Sequence, residues 1–163
     1  MDNPESIITM LDNAPCVIVP LVREVAPEVL KRRPRPEKWS VHEHACHLAE
    51  VQPMFLARLE LMLNDPQPRI APYAPGAEDE AGALLKLNLN DALERFTRER
   101  AQLVEELRDL SAEDWERTAE HPEYAQYSVF IMFRHLALHD MLHAYRIEEL
   151  LLKRDWDGNV DAG

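Results

Sequence analysis

The stretch "WSVHEHACHLAEVQPMFLARLELML", residues 39–63, decides the fold. Ser40 is followed three residues later by Glu43, the spacing at which a serine N-cap and a glutamate satisfy each other's backbone N–H groups. Trp39 stands just before this cap, where an apolar side chain can pin the entry of the chain into a helix. The apolar positions that follow predict one helix from about Val41 to about Leu63.

Three further segments carry apolar residues at helical spacing. They run from about Pro4 to about Val25, over 90–110 with Asn90 or Asp91 as cap, and from Ser128 to about Lys153. Pro15 and Pro20 are expected to bend or split the first helix, and Pro53 to kink the second, because each proline removes a backbone donor. Four long amphipathic helices predict an all-α fold, a four-helix bundle.

Shorter features fall between these helices. The proline-rich residues 64–88 are expected to form a long crossover connection with a short helical piece near Ala81 to Lys86. Ser111 and Asp114 indicate one short capped helix before the last long one. The length of 163 residues fits one domain, residues 1–163.

Composition excludes several classes of function. The net charge is −12, from 30 acidic and 18 basic residues, which argues against nucleic acid because a phosphate-binding face needs clustered Lys and Arg. Two cysteines, Cys16 and Cys46, are too few for a disulfide framework and favour a reducing, cytoplasmic location. No segment has the pattern of a signal peptide or of a membrane span, so no membrane partner is expected.

Six of the seven histidines lie on two of the predicted helices: His42, His44 and His47 on the second, and His135, His139 and His143 on the last. Residues four apart on a helix are neighbours, about 5–6 Å between Cβ atoms. Two imidazoles at that spacing can bind one metal ion through bonds of about 2.0–2.1 Å. His135 and His143 are separated by about 12 Å of helix rise, so the pair is either His135/His139 or His139/His143.

A third metal ligand has to come from another helix. His47 lies in the apolar stretch "ACHLAEV", where an unpaired imidazole is costly to bury. His42 and His44 lie nearer the capped start of the helix and are expected to be exposed. Three histidines from two helices would leave a coordination position open, as in catalytic metal sites. The competing interpretation is a polar stripe that needs no ligand, and spacing alone leaves both interpretations open.

The order and spacing of these motifs resemble the DinB-like, YfiT-like superfamily of metal-dependent enzymes. The resemblance rests on "RPRPEKWSVHEHACHLAE", "ALERFTRERAQLVEELRDLSAEDWERTAEHPEY" and "RHLALHDMLHAYRIEELL". It implies a four-helix bundle with a long crossover. It also implies a metal triad of one histidine from the second helix and an HxxxH pair from the last, which maps onto His47, His139 and His143. His135 then becomes a flanking residue one turn away.

The resemblance further implies a mononuclear divalent metal ion, zinc or nickel, that activates a water or a thiol. The implied activity is that of a hydrolase or of a small-thiol-dependent S-transferase acting on a small molecule. Glu50, one turn after His47, is a candidate orienting residue or base. Asp140 is either a hydrogen-bond partner of a ligand or a solvated charge.

Three more residues are candidate substrate contacts, namely Tyr73, Tyr145 and Arg146. For Arg146 a surface ion pair is the stronger expectation. The alternative function is a non-catalytic dimeric binding or sensory module with a vestigial metal site. In either case a homodimer formed through an apolar helix face is expected.

Overall fold

The structure is a computed structural model that describes residues 3–71, 82–154 and 156. In these residues the helices are α1 Pro4–Glu24, α2 Val41–Asn64, a 3-10 helix Ala83–Lys86, α3 Leu89–Arg108, α4 Ala112–Glu116 and α5 Val129–Leu151. Over the same residues the only extended pairing consists of isolated bridges, one between Arg69 and Glu120 and one between Thr118 and Ser128. The prediction of an all-α fold is confirmed.

The four long helices, α1, α2, α3 and α5, form a four-helix bundle. α1 packs against α3 and α5, and α2 packs against the same two helices, so α1 and α2 lie largely across the bundle from each other. The short α4 packs on α5, and the 3-10 helix packs on α2. The predicted bundle is therefore confirmed, and α2 and α5, which carry the six histidines, are direct neighbours.

The start of α2 follows its sequence signal. The hydroxyl oxygen of Ser40 accepts a hydrogen bond from the backbone N–H of Glu43 at 3.3 Å, and the backbone N–H of Ser40 donates to Oε2 of Glu43 at 2.9 Å. The guanidinium of Arg33 also pairs with the carboxylate of Glu43. These contacts fix the first turn of α2, and His47 follows one turn later.

The internal prolines of α1 and α2 do not interrupt either helix. α1 is a single helix that Pro15 and Pro20 do not split, and Pro53 likewise lies inside α2. Each proline removes one backbone donor, and the packing of these helices against their neighbours compensates for that loss. α3 begins before the predicted cap, because Oδ1 of Asn88 accepts from the backbone N–H of Asn90 at 2.9 Å and so serves as the N-cap.

The core is divided by a polar layer. On α5, the apolar residues between positions 129 and 137 belong to one core cluster, whereas Ile147 and Leu150 belong to a second. On α3, Arg100 stands between Phe96 of one cluster and Leu103 of the other, and its side chain is only 1% exposed. The two apolar clusters provide most of the hydrophobic stabilisation, and the polar layer between them is where the candidate site lies.

The long connection is described at both ends. The backbone N–H of Ile70 donates to the carbonyl of Glu120 at 2.8 Å, and the N–H of Glu120 donates to the carbonyl of Pro68 at 2.9 Å. This pairing ties the connection after α2 to the segment before α5. The 3-10 helix Ala83–Lys86 confirms the predicted helical piece, and residues 72–81 lie outside the described part of the chain.

α1 is more apolar than the sequence analysis predicts. By length and composition this helix could cross a membrane, with a mean hydropathy of 1.4 over its most apolar window. The prediction that no segment is long and apolar enough to span a membrane is therefore wrong for α1. A core helix of a soluble bundle passes the same test, and α1 buries its inward face against α3 and α5.

Candidate metal centre

Three histidines from α2 and α5 converge in the polar layer. His47, His139 and His143 each offer one ring nitrogen, and these nitrogens all lie within 4.8 Å of one another. Nε2 of His139 is 3.1 Å from Nε2 of His47 and 3.1 Å from Nε2 of His143. Of the two pairs left open by helix spacing, the structure brings together His139 and His143, with His47 as the third member.

Hydrogen bonding alone cannot satisfy this arrangement. A ring nitrogen has a single in-plane site, occupied by either a proton or a lone pair. Nε2 of His139 therefore forms a hydrogen bond with His47 or with His143, but not with both. A shared cation would accept lone pairs from all three rings. Two nitrogens bound tetrahedrally at about 2.0–2.1 Å would be about 3.3 Å apart, close to the observed separations. The donor set thus fits a divalent metal ion.

The surroundings of His139 and His143 favour the neutral imidazole, the form in which histidine binds a metal. His47 and His143 are buried, and His139 is largely so. Burial lowers the pKa of His139, and it lowers the pKa of His143 to about 2, with the neighbouring histidines adding to the effect. The adjacent Cys46 does not belong to the converging group, and burial raises the pKa of its thiol to about 12.

The rings of Trp39 and His44 pack beside this cluster. The indole of Trp39 stacks on His143 with ring centroids 5.9 Å apart, and it lies 4.8 Å from His47 and 5.5 Å from His44. Nδ1 of His44 is 2.8 Å from Nδ1 of His143. The prediction that His42 and His44 are exposed is wrong, since His44 is half-buried and His42 is buried.

Asp140 lies inside the bundle rather than on its surface. Its carboxylate is 2% exposed and pairs with the guanidinium of Arg100. Nε of Arg100 also donates to Oε1 of Gln52 at 2.7 Å, and Nη1 donates to the carbonyl of Leu11 at 3.2 Å. Burial raises the pKa of Asp140, and the guanidinium opposes that rise. The interpretation of Asp140 as a solvated charge is therefore wrong.

This pair joins all four helices of the bundle. Arg100 reaches from α3 to groups on α1, α2 and α5, and Asp140 directly follows His139 in α5. The network consequently positions the turn of α5 that supplies the histidine pair. Gln52 extends it, since its amide nitrogen donates to the carbonyl of Phe96 at 2.9 Å.

The other candidate residues that the structure describes are Glu50, Tyr145 and Arg146. The carboxylate of Glu50 pairs with Arg95 of α3, both about one-third exposed, so it is directed toward the groove between α2 and α3. Arg146 pairs with Glu149 at 2.6 Å, which confirms the expected surface ion pair. Tyr145 is 61% exposed. Tyr73 lies outside the described residues.

His135 belongs to a second group of rings one turn before His139. His121, Tyr124, Tyr127 and His135 pack together with ring centroids 4.6–6.2 Å apart. They border a cavity of about 250 Å³, whose full lining is His47, Val51, Met54, Phe55, Arg58, His121, Glu123, Tyr124, Tyr127, His135 and His139. Because two of the three clustered histidines face it, this cavity opens onto the candidate metal centre.

A larger cavity borders the rings of Trp39 and His44. Its volume is about 440 Å³, and its lining includes Trp39, His44 and Arg146 but none of the three clustered histidines. A molecule bound there would be separated from the centre by the rings of Trp39 and His44. The smaller cavity is therefore the better candidate for the substrate.

Sequence reasoning missed several of these residues. Tyr124, Tyr127 and His121 lie in the segment before α5, and Arg58 is one residue in a long helix, so no local pattern indicates that they share a cavity. The sequence did contain one usable signal, "HPEY" at residues 121–124, where two aromatic rings stand three residues apart just before a buried helix.

Three comparisons with known proteins agree with the helical-bundle fold and with a family of metal-dependent proteins. The family model described as DinB superfamily matches residues 10–147. A protein of Oceanobacillus iheyensis (strain HTE831) named "Putative metal-dependent hydrolase OB0782" is 29% identical over 151 residues, covering 91% of this chain and 86% of the relative. The solved structure of YfiT from Bacillus subtilis, described as "a probable metal-dependent hydrolase with an unusual four-helix bundle topology", has a TM-score of 0.82 at 22% identity. It covers 90% of this chain and 85% of that one, and the likeness establishes the fold.

Proposed function

The chain belongs to the DinB superfamily, and we propose that it is a metal-dependent hydrolase whose divalent metal ion is held by His47, His139 and His143. The single observation that carries this proposal is the convergence of the three Nε2 atoms, with Nε2 of His139 3.1 Å from each of the other two. The name of the Oceanobacillus iheyensis relative supports the assignment to metal-dependent hydrolysis.

Three protein ligands would leave an open coordination position. A divalent metal ion held there by His47, His139 and His143 would supply a bound water of lowered pKa and would polarise a carbonyl of the substrate. We propose zinc or nickel, since imidazole ligands suit both. The buried setting of the three rings excludes bulk water and keeps their lone pairs free for the metal.

The cavity beside His47 and His139 suggests the class of substrate. Its volume of about 250 Å³ is slightly below the usual range for ligand pockets, about 300–1,000 Å³. Apolar side chains of α2 and the rings of Tyr124 and Tyr127 line it, and aromatic faces favour flat, unsaturated groups. We therefore propose a small substrate with a planar group next to the bond that is cleaved.

Arg58 gives this cavity a polar end. One of its N–H groups donates to the carbonyl of Ala71 at 2.9 Å, and a guanidinium has five such donors. The guanidinium also hydrogen-bonds the side chain of Tyr127. The donors left over can hydrogen-bond an oxygen of the substrate. Glu123 lines the same cavity and offsets the positive charge, so the proposed substrate is neutral or carries a single negative charge.

Hydrolysis of a panel of small aryl and alkyl esters and amides tests the proposal. The zinc-loaded wild type is expected to cleave aryl substrates faster than alkyl ones, and His139→Ala is expected to lose this activity. Thiol-conjugation substrates belong in the same panel, because the same metal could also activate a small thiol as in an S-transferase. Metal binding without turnover on any substrate would support the non-catalytic binding module.

A homodimer also remains a proposal. α5 presents four exposed apolar side chains at helical spacing, Leu138, Met141, Leu142 and Tyr145, each more than half exposed. Burying such a stripe against a second copy removes apolar surface from water. Light scattering is expected to give a dimer mass for the wild type and a monomer mass for Met141→Glu, and a monomeric wild type would refute the dimer. A cytoplasmic location is proposed with it.

A further inference from the structure

The two ring nitrogens of His143 have different partners. Nε2 points into the three-histidine cluster, 3.1 Å from Nε2 of His139, whereas Nδ1 points away from it, 2.8 Å from Nδ1 of His44. A histidine that binds a metal through Nε2 must carry its proton on Nδ1. That proton then lies on the line to His44, whose Nδ1 can only accept it.

His44 is well placed to act as this acceptor. It lies on the same face of α2 as His47, three residues earlier, so one helix supplies both a candidate ligand and the acceptor for another ligand. The rings of His44 and His143 are 5.0 Å apart at 62°, and the indole of Trp39 contacts both. If Nδ1 of His44 accepts, its own proton is on Nε2. The ring also borders the cavity of about 440 Å³, where that N–H can meet solvent.

The other histidine of the α5 pair has no such support. Nδ1 of His139 is buried and has no hydrogen-bond partner among the described residues. Of the two clustered histidines of α5, only His143 therefore has its outer nitrogen held by another side chain. The contact to His44 thus distinguishes the candidate ligand His143 from the candidate ligand His139.

We propose that His44 is a positioning residue for the metal centre. It accepts a hydrogen bond from Nδ1–H of His143 and so fixes both the tautomer and the ring orientation in which Nε2 faces the metal. Partners of this kind raise the basicity of a ligand, and their loss typically weakens metal binding about 10–100-fold. The inference rests on the proposed metal centre and adds a residue that does not itself bind the metal.

Two substitutions separate hydrogen bonding from ring packing. His44→Asn keeps an acceptor near the position of Nδ1 but removes the ring, whereas His44→Leu removes the acceptor and keeps an apolar side chain of similar size. His42→Leu is the matched control, because His42 is on the same helix and is not part of the cluster. Thermal unfolding of each metal-free variant verifies that it is folded.

The first measurement is zinc affinity, obtained by competition with a chromophoric chelator. His44→Leu is expected to bind zinc about 10–100-fold more weakly than the wild type, while His44→Asn and His42→Leu stay within a few-fold of it. Equal affinity of His44→Leu and the wild type would overturn the proposal. So would an equally large loss in His44→Asn, since that result would assign the effect to the ring.

The second measurement needs neither metal nor activity. Long-range proton–nitrogen NMR spectra of the metal-free protein report which nitrogen of His143 carries the proton. The Nδ1–H form is expected in the wild type and in His44→Asn, and a mixture of tautomers in His44→Leu. An unchanged tautomer in His44→Leu would refute the role of His44. A wild type that binds neither zinc nor nickel would instead refute the proposed function, and the tautomer data would still test the His44–His143 contact.

Discussion

The buried pair of Arg100 and Asp140 gives the sharpest prediction about stability. Asp140→Asn keeps the shape of the side chain but removes its negative charge, which leaves the guanidinium of Arg100 buried with only neutral partners, Gln52 and Leu11. Removing one member of a buried ion pair costs about 3–5 kcal/mol. Because a domain is stable by about 5–15 kcal/mol, this loss would be a large share of the total.

The structure supports the upper part of that range. The side chains of Arg100 and Asp140 are 1% and 2% exposed, so water cannot replace the lost partner. Nη2 of Arg100 and Oδ1 of Asp140 already lack hydrogen-bond partners among the described residues, which leaves little capacity to compensate. By contrast, replacing both members with apolar residues removes both charges and is often close to neutral.

Urea unfolding of the metal-free protein at pH 7, followed by circular dichroism, measures these effects. Asp140→Asn is expected to lower the free energy of unfolding by about 3–5 kcal/mol. The double variant Arg100→Met/Asp140→Leu is expected to lose clearly less than the sum of its two single variants. A loss below about 1 kcal/mol for Asp140→Asn, or simple additivity in the double variant, would refute the account of this pair.

Further predictions concern the helix cap, acid stability and Glu50. Ser40→Ala removes one half of the α2 capping box and should cost about 1 kcal/mol in urea unfolding; no change would contradict the cap. In the metal-free protein burial lowers the pKa of His44 to about 4 and that of His143 to about 2, against an ordinary 6.5. The unfolded chain therefore binds more protons below pH 6.5, and stability should fall from pH 6.5 toward pH 4 by up to about 1.4 kcal/mol per unit for each histidine; a flat profile would oppose this. Glu50→Gln should leave zinc affinity unchanged, since its carboxylate pairs with Arg95; a tenfold loss would show that Glu50 acts at the metal.

Sequence reasoning was reliable where the determinants are local. The Ser40–Glu43 spacing predicts the start of α2, and the structure shows both halves of the capping box. Helical periodicity places His139 and His143 on neighbouring turns, which restricts the choice to two pairs. The family resemblance then selects His47, His139 and His143, and the structure brings these three together.

Sequence reasoning was less reliable where packing between helices decides whether a residue is buried. Asp140 and His44 lie at positions that are equally compatible with solvent or with the interior, and only the contacts of α5 with α2 and α3 bury them. Pro15 and Pro20 are unfavourable locally, yet α1 remains continuous because its buried face packs along the bundle. Asn88 caps α3 ahead of the predicted cap, because its side chain accepts from the backbone N–H groups of Asn90 and Asp91.

Metal content tests the central claim most directly. Tag-free protein, purified without chelators and analysed by inductively coupled plasma mass spectrometry, is expected to hold one divalent ion, zinc or nickel, per chain. His139→Ala is expected to hold none, and added zinc should raise the melting temperature of the metal-free wild type but not of the variant. A wild type that has no bound metal and gains no stability from zinc or nickel would contradict the three-histidine metal centre.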